Sequence, residues 1–248
     1  ALRHSDRRRR SSVVDLEVGL VARVLRWLFV FDTPIGRIPD STPRLRLAAL
    51  VVAVIALAID ARMVLAATHA SYPQRAVLAA VAILLLWLVC RRDRSCLGLK
   101  LQTVQGAAWW WRATLVVVGV MAVLVFVPVG ILLLTGTFQP IRLPPEYVGD
   151  QVIHMCVWAP LVEEALYRVV LVGALATLIR PGWAILAGGV VFAGLHVVYG
   201  NPAPDNMVGG FVLTWAFLRS GSIAVPLIWH AAGNAFVIGT QVLAYEIL

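Results

Sequence analysis

Long apolar runs constrain this chain more than any other feature. Of its 248 residues, 60% are apolar and 14% are charged, whereas ordinary soluble domains have about 45–50% and 25%. Several runs approach or exceed the roughly 20 residues that an α-helix needs to cross a bilayer. The sequence therefore predicts an all-α fold, a polytopic transmembrane helix bundle.

We predict about seven spans, within a range of six to eight. The apolar runs that define them are residues 45–66, 76–90, 113–134, 150–178, 183–199, 206–218 and 223–247. Residues 45–248 are thus expected to form the bundle. Residues 1–44 are expected to form a basic N-terminal arm, with an amphipathic helix that lies in the membrane interface.

The basic residues predict orientation and location. The net charge of +8 is concentrated in Arg7–Arg10 and in the segment between the second and third spans. Positive segments beside membrane spans face the cytoplasm and contact anionic lipids, so no nucleic-acid partner is expected. An arginine-rich, lysine-poor composition indicates a bacterial source. We therefore expect an integral protein of the bacterial inner (plasma) membrane, with a cytoplasmic N-terminus.

Two adjacent carboxylates, Glu163 and Glu164, interrupt the fourth apolar run. Ionisable groups at membrane depth are costly and usually serve function. Arg168 lies four residues after Glu164, so the two side chains share a helix face and are expected to pair. Glu163 is rotated about 100° from Glu164, which leaves it available for chemistry.

Two further polar pairs lie in later apolar runs. Phe192 and His196 form FxxxH in the fifth run, and His230 and Asn234 form HxxxN in the seventh. At about 1.5 Å per residue, Glu163 and His196 lie roughly 20–25 Å from the same ends of antiparallel helices, so they are expected to meet. The four-residue spacing places His230 and Asn234 on one helix face, where both are able to donate hydrogen bonds.

The ordered motifs EExxxR, FxxxH and HxxxN resemble the CPBP family of intramembrane proteases. This family includes CAAX prenyl endopeptidases and ABI-type relatives implicated in bacteriocin processing or immunity. The resemblance covers about residues 150–244. It implies an intramembrane endopeptidase in which Glu163, assisted by His196, activates a water, while His230 and Asn234 stabilise the oxyanion. Glu164, Arg168 and Phe192 would then be structural support.

A metal-dependent mechanism is the alternative chemistry. Glu163, His196 and His230 form a zinc-ligand set with one open position, and both metal-dependent and metal-free mechanisms have been proposed for the family. The motif HExxH is absent, and we favour a metal-free site without a cofactor. Cys90, Cys96 and Cys156 have no zinc-ligand spacing and are expected to pack as small apolar residues.

Two other functions remain open at the level of sequence. The chain could be a non-catalytic subunit or scaffold that keeps the family fold and docks a membrane complex through its N-terminal region. It could also be a proton carrier that uses Glu163 and His196 as a relay, although the chain shows no internal repeat. The expected partners are membrane lipids, a membrane-bound peptide or protein substrate, and, for the scaffold, a partner complex.

Overall fold

The computed structural model of the chain describes residues 30–37, 42–66, 72–90, 95–136 and 141–247. Most of the predicted N-terminal arm, including its interfacial helix, lies outside these ranges and stays a prediction. One compact unit comprises Thr33–Leu248. Within the described ranges the regular secondary structure is helical and contains no strand.

The described residues of this unit form seven long helices. They are α1 (Pro43–Ala66), α2 (Tyr72–Val89), α3 (Ala107–Leu134), α4 (148–176), α5 (Pro181–Val198), α6 (Pro204–Ser220) and α7 (Ala224–Ile247). Each overlaps one of the predicted apolar runs, with ends that differ by a few residues. Prolines mark the starts of two of these helices. Pro181 and Pro204 stand in the first turns of α5 and α6, where the missing N–H of proline costs no helical hydrogen bond.

The helices form an all-α membrane bundle, as the sequence predicts. Five of them, α1, α2, α3, α5 and α7, are long and apolar enough to cross a membrane. Helix α6 has 17 residues, and α4 carries the buried charges. Large apolar side chains such as Leu47 and Val116 are 59% and 61% exposed, which suits a surface that faces lipid tails.

Helix α4 is the centre of the bundle. It packs against α1, α2, α5, α6 and α7, and all residues of Glu164–Val172 except Ala165 are buried. Two stretches of α4, Val152–Trp158 and Glu164–Val172, are π-helical. In these stretches each N–H bonds five residues back rather than four, so each residue turns less about the axis and the side chains lie at other angles than α-helical spacing predicts. π-Helical turns often occur at functional sites.

Small residues bring α5 and α6 close together. A Cβ atom on Gly189 would lie 2.3 Å from the ring of Phe211, and one on Gly210 would lie 3.0 Å from the ring of Phe192. Helices in membranes associate through such small residues because their backbones can then approach closely. This packing seats Phe192, and with it the end of α5 that carries His196, against the rest of the bundle.

Candidate active site

Glu164 is held by two cationic or hydrogen-bonding partners. Its Oε2 lies 3.1 Å from Nε of Arg168, which confirms the predicted pair on α4. Its Oε1 lies 2.8 Å from Nδ1 of His230 on α7. Neither Glu164 nor Arg168 is exposed, and the Arg168 guanidinium also stacks 4.6 Å from the centre of the Phe192 ring. Glu164 is therefore a buried, neutralised group that ties α4 to α7.

Glu163 lies where three helices converge. Its Oε2 is 4.0 Å from Nε2 of His196 on α5 and 3.8 Å from Nε2 of His230 on α7. The Glu163 side chain is 14% exposed, compared with 10% and 9% for the two imidazoles. The structure thus brings together three of the four residues that the sequence predicts to be catalytic, in a mostly buried site.

The ring of His196 is fixed on both sides. Its Nδ1 lies 2.9 Å from the carbonyl oxygen of Phe192, and its ring lies 4.2 Å from the ring of Phe192, centre to centre. Phe192 in turn packs edge-on against Tyr167 at 5.2 Å. Phe192 is thus a positioning residue, and it presents Nε2 of His196 towards Glu163.

The hydrogen bonds of the two imidazoles define where protons are needed. A carbonyl oxygen only accepts, so Nδ1 of His196 donates to Phe192. The Glu164 carboxylate also accepts, so Nδ1 of His230 donates to it. In a neutral ring, Nε2 is then an acceptor in both residues. Three acceptors consequently converge at Glu163 Oε2, and they require either a water or an additional proton between them.

Charge counting shows where an additional proton would go. Two carboxylates and the Arg168 guanidinium leave one negative charge in the buried cluster, and an unbalanced buried charge is costly. His230 touches both glutamates, at 2.8 Å and 3.8 Å, whereas His196 lies near Glu163 only. An additional proton on His230 would therefore face both carboxylates, and it would make Nε2 of this ring a donor.

Asn234 lies one turn after His230, but its side chain is engaged elsewhere. Its Nδ2 donates to the carbonyl oxygen of Met155 on α4. In the π-helical register that carbonyl would accept from residue 160, which is Pro160 and has no N–H. Asn234 therefore supplies the donor that Pro160 lacks, and it links α7 to α4.

Sequence reasoning missed a second buried polar group next to the site. Arg75 on α2 pairs with Asp60 on α1 through two hydrogen bonds, of 2.7 Å and 3.1 Å. Tyr167 on α4 donates to the same carboxylate at 3.3 Å. A charged residue inside the first apolar run was the available signal, but its partner could not be identified without the packing of the helices.

The residue types of the site suit a zinc ion, but their spacing does not. Carboxylate and imidazole are zinc ligands, but among the described residues no group of three His, Cys, Asp or Glu side chains is arranged to hold a metal ion. The separations of 3.8 Å and 4.0 Å around Glu163 exceed the about 3.4 Å expected between ligands on a tetrahedral zinc. We derive no catalytic step through a metal.

An open apolar groove of about 240 Å³ lies near the site. It lies between α4 and α7, one turn before Glu163 and His230 on their helices. It is lined by Cys156, Val157, Pro160, Leu161, Leu227, Ile228 and Ala231. Leu161 and Ile228 in this lining are 47% and 64% exposed, so the groove is part of the apolar outer surface of the bundle.

Comparison with known proteins identifies the segment that carries this site. No curated protein and no solved structure matches the chain. Residues 150–236 match the family described as type II CAAX prenyl endopeptidase Rce1-like. The matched segment contains Glu163, Glu164, Arg168, Phe192, His196, His230 and Asn234. The match over residues 150–236 confirms the resemblance that the motifs of the sequence predict.

Proposed function

We propose that this chain is an intramembrane endopeptidase. It hydrolyses a peptide bond in a membrane-associated protein or peptide, with a water that Glu163 and His196 activate. The observation that carries the proposal is the convergence of Glu163, His196 and His230 from three helices around one carboxylate oxygen. The family match supports the reaction class, and the roles of the individual residues are our own assignment.

The separation between Glu163 and His196 suits a shared water. At 4.0 Å between Oε2 and Nε2 the two atoms are too far apart for a direct hydrogen bond, and both are acceptors. A water that donates one hydrogen to each would bridge them. Its oxygen lone pair would then attack the peptide carbonyl while Glu163 takes the proton, which it later gives to the leaving amine.

His230 is the proposed donor to the tetrahedral oxyanion. With its ring protonated, Nδ1 stays on Glu164 and Nε2 donates to the negative oxygen that forms on the substrate. Asn234 uses one amide hydrogen for Met155 and has a second for the same oxyanion. One such preformed donor contributes roughly 3–4 kcal/mol to transition-state stabilisation.

The substrate is proposed to approach with an apolar group. The open apolar groove between α4 and α7 would hold an apolar side chain or a lipid chain near the scissile bond. The description of the matching family names a prenyl endopeptidase, so a peptide that ends in a prenylated CAAX sequence is the first probe. A transmembrane peptide without a lipid is the matched second probe.

Cleavage by the protein in liposomes tests the proposal. Both probes carry an internally quenched fluorophore, and initial rates are compared for the wild type, Glu163→Gln and His196→Gln. Because general acid–base groups contribute about 10²–10⁴ in rate, each substitution is expected to reduce cleavage at least about 100-fold. The exposed Glu146→Gln is the matched control and is expected to cleave at the wild-type rate.

Three outcomes would change the proposal. Retained cleavage by both purified site variants would refute the assigned chemistry. Loss of wild-type cleavage after chelation, with recovery on addition of zinc, would replace the metal-free mechanism. A stoichiometric membrane partner that co-purifies with the wild type and with Glu163→Gln, in the absence of any cleavage, would favour the scaffold.

A further inference from the structure

Two cysteine thiols are in contact at one end of α2. The Sγ atoms of Cys90 and Cys96 lie 2.8 Å apart, and each residue is 1% exposed. A disulfide requires about 2.05 Å between the sulfurs, so closing the bond needs an approach of only about 0.8 Å. Sequence spacing alone predicts two separate apolar side chains, but the fold places them together as thiols.

The contact lies at a junction between segments that are distant in the sequence. Cys90 directly follows α2, and its N–H bonds to Leu86 at 2.8 Å. The carbonyl oxygen of Cys96 accepts from the N–H of Gly36 at 2.9 Å. In the same turn, the carbonyl oxygen of Gly98 accepts from the N–H of Ile223 at 2.9 Å, immediately before α7. The turn that holds Cys96 thus supports the start of the helix that carries His230.

We propose that Cys90 and Cys96 are a modification site, a dithiol–disulfide pair that a small-molecule disulfide oxidises without rearrangement of the bundle. The bond would join the end of α2 covalently to the turn that supports α7. The basic residues predict that this end of the bundle faces the cytoplasm, where glutathione keeps most thiols reduced. The reduced pair is then the resting form, and oxidation marks a shift in the glutathione pool.

The chemistry is an exchange that conserves atoms and electrons. The thiolate of one cysteine attacks a sulfur of the added disulfide, breaks its S–S bond and releases one thiol. The second cysteine then attacks the mixed disulfide, forms the Cys90–Cys96 bond and releases the other thiol. Two electrons pass from the protein sulfurs to the added disulfide, and the two protons leave with the released thiols.

Thiol counting on the full-length protein tests the proposal. The detergent-solubilised protein is equilibrated with oxidised glutathione, or with the uncharged hydroxyethyl disulfide, which enters apolar regions. It is then acid-quenched, unfolded and alkylated, and peptide mass spectrometry measures the label on each cysteine. We expect Cys90 and Cys96 to lose their label together and to appear as one cross-linked peptide. Cys156 has neither Cys90 nor Cys96 beside it and should appear in no cross-linked peptide.

Variants separate the proposed pair from other thiol reactions. Cys156→Ala should leave the cross-link unchanged, which excludes exchange with that residue. Cys90→Ser should eliminate the cross-link. Full labelling of both Cys90 and Cys96 after equilibration with either reagent would overturn the proposal. Accumulation of a stable mixed disulfide on one of them would also overturn it, because the second sulfur would then have failed to reach the first.

Discussion

The buried ion pair between Asp60 and Arg75 gives the sharpest stability prediction. Asp60 is not exposed, the Arg75 side chain is 9% exposed, and the two groups meet through two hydrogen bonds. Replacement of Arg75 by Met leaves the carboxylate with Tyr167 as a donor, at the longer distance of 3.3 Å. Removing one partner of a buried pair lowers the free energy of unfolding by about 3–5 kcal/mol. The folding equilibrium constant should therefore fall by a factor of about 10²–10⁴.

The variant Asp60→Leu and the double variant Asp60→Leu/Arg75→Met separate the energy of the pair from the cost of leaving one charge buried. In Asp60→Leu the guanidinium of Arg75 keeps the Tyr72 ring at 5.8 Å and stands in the first turn of α2, where it can turn towards the headgroups. We therefore expect a smaller loss than in Arg75→Met. The double variant buries no charge at all, and apolar replacements of buried pairs are often neutral. It should fall within about 1 kcal/mol of the wild type.

The assay is equilibrium unfolding of the four proteins by titration with sodium dodecyl sulfate, followed by the helical circular dichroism signal. The quantity of interest is the coupling energy of the double-mutant cycle, expected at several kcal/mol. The prediction for the buried pair is refuted if Arg75→Met lowers the free energy of unfolding by less than about 1 kcal/mol. It is also refuted if the loss in the double variant equals the sum of the two single losses.

Two further predictions concern contacts between neighbouring helices. Asn234→Leu should lower stability by about 1–3 kcal/mol because it leaves the Met155 carbonyl without a donor; adding Pro160→Ala, which restores an N–H, should recover part of that loss in the same titration, and no recovery would contradict the assigned bond. Gly189→Ala, whose Cβ meets a phenyl ring at 2.3 Å, should lower stability by about 1–3 kcal/mol, whereas Gly194→Ala meets nothing within 4 Å and should be neutral or stabilising.

The sequence predicted what depends on local spacing. Apolar runs located seven helices because hydropathy and helix length are properties of one segment. The pair Glu164–Arg168 was predictable because the two residues are four apart on one helix, and the 3.1 Å contact agrees. Helix rise predicted that Glu163 and His196 lie at the same depth on antiparallel helices, which allows the two side chains to meet.

Contacts that depend on the angular packing of distant helices were not predictable. The pairing of Asp60 with Arg75 needs α1 and α2 to face each other at one rotation. The hydrogen bond of Asn234 to the Met155 carbonyl depends on the π-helical turns in α4, which the sequence pattern did not predict. The contact of Cys90 with Cys96 is set by a turn that other segments hold in place.

The spacing of the ion-pair partners along the chain determines when each buried charge is balanced during synthesis and insertion. Arg168 emerges only four residues after Glu164, so α4 can enter the bilayer with that charge already balanced within its own helix. Arg75 follows Asp60 on the very next helix, and a hairpin of α1 and α2 can balance the second pair before the rest of the bundle exists. Glu163 differs, because His196 and His230 arrive with α5 and α7. The carboxylate assigned to chemistry is thus the one whose surroundings are completed last, so a partly inserted chain would hold the acid of the site without its full set of partners.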